Sequence, residues 1–164
     1  MRASDEEVRA NVKRMVDAAE AKWRDLLFFN KNRVSPVCAA TKENAALVKI
    51  LIDALAPELN VNDVLVFGGW GNFPPSGLGL MPYGGLLITR KKLYWKTLLP
   101  MSAEWVRLSD IDGFKYDNFT NFCTMDFSLK SGGLLSSQKS FGRGVSFQFE
   151  DVLNDVLKYL QKNQ

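Results

Sequence analysis

Apolar residues in the first third of the chain recur at helical spacing. Val8, Val12, Met15, Val16, Ala19, Trp23, Leu26 and Leu27 fall on one face and predict an amphipathic helix running to about Phe28. Ser4 and Glu7 have the spacing of a capping box, and Asp5 and Glu6 suit the positive end of the helix dipole. Asn30 to Pro36 reads as a polar, basic connector that Pro36 keeps non-helical. A second helix is expected with Thr41 as N-cap, ending before Pro57, with Ala46, Leu47, Ile50, Leu51, Ala54 and Leu55 as its apolar face. Both helices need a surface to bury against. The alternatives are packing on each other and on the sheet that follows, or a first helix that protrudes and carries a partner.

From Val61 the texture changes to short apolar runs separated by turn residues, the pattern of an antiparallel sheet. Strands are expected over Val64–Phe67, Leu86–Thr89, Leu93–Lys96, Glu104–Leu108, Ile111–Tyr116, Thr124–Leu129 and Val145–Phe149. From about Glu150 the period returns to that of a helix, with Val152, Leu153, Val156, Leu157 and Leu160 on one face and Tyr159 alongside. Many strands followed by one helix is an α+β pattern, in which the helix covers an open end of a curled antiparallel sheet. The expected organisation is an N-terminal helical extension over residues 1–60 and a β-rich domain over residues 61–164.

Composition narrows the class without naming a function. The chain has 164 residues, with 46% hydrophobic and 24% charged residues and a net charge of +3, ordinary for one globular domain with a core of its own. Basic and acidic residues are nearly balanced on either side of Asn60, so neither half reads as a nucleic-acid surface. Cys38 and Cys123 stand far apart and flank no metal-ligand spacing; they could pair, but two isolated thiols in a chain of this size suggest a reducing compartment. The start is charged, and no run approaches the roughly 20 apolar residues that span a bilayer. The expectation is a soluble, cytoplasmic protein.

One stretch, GGLLITRKKLYWK from Gly84 to Lys96, resembles the strand pair of bacterial pleckstrin-homology-like (PH-like) domains. Thr89, Lys92, Leu93 and Tyr94 stand at the matching positions of the phrase Gly-hydrophobic-Thr-x-x-basic-Leu-aromatic. WVRLSDIDGFKY is similar to the strand that follows in that family, with Leu108, Asp110 and Ile111 in register, and FSLKSGG resembles its later strand ending in a Lys-Ser-Gly turn. The resemblance covers roughly Val61 to Gln164. It implies an antiparallel PH-like β-barrel or curled sheet capped by the C-terminal helix, with two helices placed before it. The family spans lipid binding, protein binding and purely structural roles, so the fold does not give the function. An adaptor or immunity-type protein matches the chain by resemblance in size and organisation.

Catalytic constellations are hard to assemble from these residues. The chain has no histidine, which removes the commonest general base near neutral pH and every imidazole-based triad. It has neither a phosphate-binding Gly-x-x-x-x-Gly-Lys-Ser/Thr loop nor a nucleophile elbow. Gly68, Gly69 and Gly71 follow a strand as in a dinucleotide loop, but Phe73-Pro74-Pro75 forbids the helix such a loop opens into. Asp110 and Asp112 would share a strand face near Asp117, without the spacing of a calcium loop; they read as solvated turn carboxylates. Nothing near Ser102 or Ser146 would activate either hydroxyl. No enzymatic activity, cofactor or metal is expected.

Two features carry functional content. The uncharged stretch Gly69 to Gly85 presents Trp70, Phe73, Leu78, Leu80, Met81 and Tyr83. On an exposed loop these would form an apolar patch suited to a protein partner; folded back, they would cover one end of the sheet. Arg90, Lys91, Lys92 and Lys96 lie on the following hairpin and could meet phosphate groups or anionic lipid, or simply guard a sheet edge. The expected function is a non-catalytic binding module that recognises a protein partner through the aromatic loop. The alternative is peripheral binding to anionic membrane lipid through the basic hairpin and that loop.

Overall fold

The computed structural model describes residues 3–27, 37–70, 84–96, 103–117, 124–136 and 146–164. Its elements are helix α1 (Asp5–Leu27), strand β1 (Cys38–Ala39), helix α2 (Ala45–Leu55), then β2 (Val64–Trp70), β3 (Gly84–Thr89), β4 (Lys92–Lys96), β5 (Ala103–Arg107), β6 (Ile111–Asp117), β7 (Thr124–Leu129), β8 (Leu134–Ser136) and helix α3 (Ser146–Lys162). The class is α+β with antiparallel sheets and a C-terminal helix, as the texture of the sequence implies. Among the described residues the sheets do not close into a barrel. Five strands form one sheet in the order β1-β2-β3-β4-β5, and three form a second in the order β6-β7-β8.

The central strands β2, β3 and β4 of the five-stranded sheet are buried on both faces, and this explains the unbroken apolar run there. Leu86 and Ile88 of β3, with Leu93 and Trp95 of β4, join the core formed with α1, α3 and the three-stranded sheet. Leu87 and Tyr94, one residue out of phase, pack on the other face against Val48, Leu51, Ile52 and Leu55 of α2. In β2 the pairing with β3 steps from Val64↔Thr89 to Val66↔Ile88, leaving Leu65 as a bulged residue. Leu65 and Val66 consequently fall in the same core, which strict alternation would forbid.

Helix α1 buries Val8, Val12 and Val16, and starts with the expected reciprocal cap. The Ser4 N–H donates to the Glu7 carboxylate at 2.8 Å, and the Glu7 N–H donates to the Ser4 hydroxyl at 3.2 Å. Arg9 reaches from the same helix to the carbonyls of Val64 (3.0 Å), Ala40 (3.5 Å) and Asn62. Helix α1 therefore packs on the sheet and on α3 within one core. Trp23, Leu26 and Leu27 lie where only the backbone is described.

Three local expectations are corrected. Helix α2 starts after Asn44 rather than Thr41, because the Asn44 side chain accepts from the Thr41 N–H (2.8 Å) and donates to the Ala39 carbonyl (2.9 Å), holding a turn where the helix would begin. Its buried face is Val48, Leu51, Ile52 and Leu55, rotated from the expected set, and Ala46 is exposed. The helix is apolar on nearly every side, so its period does not single out one face. Finally, Ser146–Phe149 belongs to α3 and not to a strand. No turn residue separates this segment from the helical run at Glu150, and the helix propagates upstream through it.

Burial, reinforced by the nearby Glu58 and Asp63 carboxylates, holds the Tyr94 phenol above its ordinary range. The fold favours the neutral phenol, so this contribution is present below the unfolded tyrosine value of about 10 and is lost as pH rises through the raised folded value. Tyr94→Phe should therefore flatten the alkaline fall in stability, read as urea midpoints across that range for both proteins. Parallel alkaline limbs would show that Tyr94 does not titrate with unfolding.

Candidate functional site

The hairpin tip between β3 and β4 is closed by its own threonine. The Thr89 hydroxyl accepts from the N–H groups of Lys91 (3.3 Å) and Lys92 (3.0 Å) and donates to the Lys92 carbonyl at 3.2 Å, holding the four-residue turn. The cations on this tip then go to different places. Arg90 turns inward, and its guanidinium donates to the carbonyls of Ala3 and Asn163, both at 2.9 Å, and pairs with Asp5. One hairpin side chain thus ties the start of α1 to the end of α3. Lys91 is exposed. Lys92 places its ammonium 3.9 Å from the centroid of the Trp105 ring and 5.8 Å from that of Tyr94. Lys96 ends β4 opposite Ala103.

A groove of about 750 Å³ runs beside the tip, lined among others by Val8, Arg9, Asp63, Arg90, Lys91 and Lys92. Both of its guanidinium groups already hold backbone carbonyls, so the groove reads as a seam between elements joined by arginine.

Trp105 was not singled out by the sequence, and it is the feature the structure brings forward. It stands on β5, the outer strand of the five-stranded sheet, and at 52% exposure it is the exposed large apolar side chain among the described residues. Its cross-strand partner is Tyr94, whose own neighbour across β3 is Leu87. Helix α2 covers Leu87 and Tyr94 and approaches β5, where Trp105 stands in the same row with about half of its surface exposed. Arg107, two residues on and opposite Lys92, is exposed on the same face. The result is an indole flanked by Lys92 and Arg107 at a sheet edge. Alternation along AEWVR signals a half-buried strand but does not say which of its faces a helix covers.

The remaining candidates are placed as follows. Trp70 ends β2, while Phe73, Leu78, Leu80, Met81 and Tyr83 lie outside the described residues. Asp110 lies in a single 3-10 turn over Leu108–Asp110, accepting from the Ser109 hydroxyl at 2.9 Å, and Asp112 is the unpaired residue where the β6–β7 register shifts. They therefore do not share the regular strand face the sequence suggested. Ser146 opens α3, and Ser102 and Cys123 lie outside the described residues. Among the described residues no group of three or more Cys, Asp or Glu side chains could hold a metal ion, and no helix is long and apolar enough to cross a membrane. Comparison of the chain with protein-family models finds no matching family, and comparison with curated proteins finds no match.

Proposed function

We propose that this chain is a non-catalytic binding module that recognises a protein partner, built on a PH-like arrangement with helices added before it. The order of elements supports the PH-like reading: a four-strand meander (β2–β5), a three-strand meander (β6–β8) and a terminal helix. The observation that carries the binding reading is Trp105, a half-exposed indole stacked beneath Lys92 on an outer strand. Exposed aromatics beside cations are typical of recognition surfaces, since the ring supplies contact area at low entropic cost. The Gly69–Gly85 stretch, with Trp70, Phe73, Leu78, Leu80, Met81 and Tyr83, is the second surface proposed for the same role.

Anionic lipid is the alternative reading, favoured by the exposure of Lys91 beside Lys92 and Arg107. Two experiments separate the readings. In cross-linked capture from native lysate, a stoichiometric partner should be retained by the wild type and lost by Trp105→Ser or by the double variant Trp70→Ser/Phe73→Ser. Retention by both variants would remove the two surfaces from the proposal. In vesicle co-sedimentation, binding to anionic but not neutral vesicles that weakens as salt rises would put lipid ahead of protein.

A further inference from the structure

The backbone of β5 defines how a partner would be held. Resting on the binding-module reading above, we propose that β5 accepts an acidic polypeptide segment as an added antiparallel strand, extending the five-stranded sheet at Trp105. The first observation is the hydrogen-bond phase of the strand. The Leu108 N–H donates to the Lys91 carbonyl at 2.8 Å, and β5 then runs in regular register with β4 from Lys92↔Arg107 to Lys96↔Ala103. In an antiparallel ladder the residues that face the partner strand alternate. Val106 and Glu104 therefore direct their backbone groups at β4, and Ala103, Trp105 and Arg107 direct theirs outward.

The outward N–H and C=O groups thus belong to the residues whose side chains stand on the exposed indole face. No described strand pairs with this edge, and Ala103, Glu104, Trp105 and Arg107 are exposed. The strand also lacks the proline and bulge that commonly block edge pairing. Backbone groups in this arrangement are complementary to another polypeptide, which selects a protein segment over lipid or nucleic acid.

Charge selects the kind of segment. A residue placed opposite Trp105 or Arg107 would project onto the face that holds Lys92 and Arg107, so acidic side chains at alternate positions are matched there. Residues between them would lie on the other face, which holds the partly buried Val106 and the exposed Glu104, so uncharged β-branched side chains fit those positions. A second copy of this chain is disfavoured, because two-fold pairing about Trp105 would gather two sets of Lys92 and Arg107 on one face. The occupant is therefore an extended segment of alternating acidic and apolar residues.

The test uses the full chain and a capped peptide alternating Glu and Val, followed by amide chemical shifts in NMR titrations. Shifts should centre on Ala103–Arg107, and Trp105 fluorescence should change with the same affinity. Methylating the Glu backbone nitrogens removes the donors that would meet the Trp105 and Arg107 carbonyls, and should weaken binding at least about tenfold. Methylating the Val nitrogens, which point away from β5 in this register, should leave affinity within about threefold of the parent. A Lys–Val peptide should not bind, and Arg107→Glu should reverse that preference.

Equal binding of the Glu-methylated peptide, shifts centred elsewhere, binding of the Lys–Val peptide, or no binding of the parent peptide would each overturn strand addition. Concentration-dependent dimerisation through β5 in sedimentation would overturn it in favour of a second copy. None of these outcomes touches the broader binding reading, which rests on partner capture by the wild type and its loss on substitution.

Discussion

Phe127→Ala should destabilise the fold by about 3–5 kcal/mol, the range for removing a fully buried ring from a packed core. Phe127 is 1% exposed and meets two aromatic neighbours edge-on. Its centroid lies 5.3 Å from Trp95 at 60° and 5.3 Å from Phe114 at 88°. Trp95 belongs to the five-stranded sheet, whereas Phe114 and Phe127 pair with each other in the three-stranded one. The ring therefore fills the junction between the sheets, and its edge-to-face contacts add about 0.5–1.5 kcal/mol per pair beyond the burial itself. Typical domains have only 5–15 kcal/mol of total stability, so the variant should lose a large share of it. Urea unfolding should show a lower midpoint with the slope retained. A loss below about 1 kcal/mol would mean that the two sheets do not share this core. Phe127→Leu, which keeps most of the volume, should cost clearly less.

Asn154 is the second site at which one change should have a large effect. Its side-chain oxygen accepts from the Phe114 N–H at 2.8 Å, and its side-chain nitrogen donates to the Phe114 carbonyl at 2.9 Å. β6 is an outer strand, so no described strand pairs with these two groups, and the amide of α3 meets them instead. Phe114 is buried at 3% exposure. Asn154→Ala strands a donor and an acceptor together and should cost about 2–4 kcal/mol, with markedly faster hydrogen exchange at the Phe114 amide. Slow exchange at that amide in the variant would show that another group satisfies it. Asn154→Asp keeps the acceptor but sets a carboxylate against the Phe114 carbonyl. Its deficit should shrink on acidification, when the protonated carboxyl can donate again. Gly113 shows how tight the clamp is, since a Cβ there would sit 3.3 Å from the Asn154 side-chain oxygen.

Helix α1, and α3 from Glu150 onward, were legible because their apolar positions repeat with one phase and their opposite faces are charged. The same periodicity failed at α2, where AALVKILIDAL offers apolar residues on nearly every side. Only the fit against Phe67, Leu87 and Tyr94 selected Val48, Leu51, Ile52 and Leu55. The hairpin of β3 and β4 was legible from its turn. The bulge at Leu65 was not, because it depends on the register of β2 against β3 across a long connection. Asn154 shows no local signal at all: a polar residue on an amphipathic helix reads as solvated until a strand edge 40 residues earlier is placed beside it.

The candidate site divides in the same way. Basic residues on the hairpin were visible in the sequence, but their roles were not. Arg90 meets backbone groups 73 and 87 residues away, which turns an expected anion contact into a tie between the two chain ends. Trp105 looked like one more alternating strand residue. Local period and turn chemistry, which act between residues near in the chain, determined the helices at the two ends, most strand positions and the α+β class. The tertiary structure decided the division into two sheets, the buried face of α2, the partners of Arg90 and Asn154, and the exposure of Trp105 on an outer strand. Those outcomes depend on which distant surfaces meet, and no local pattern encodes that.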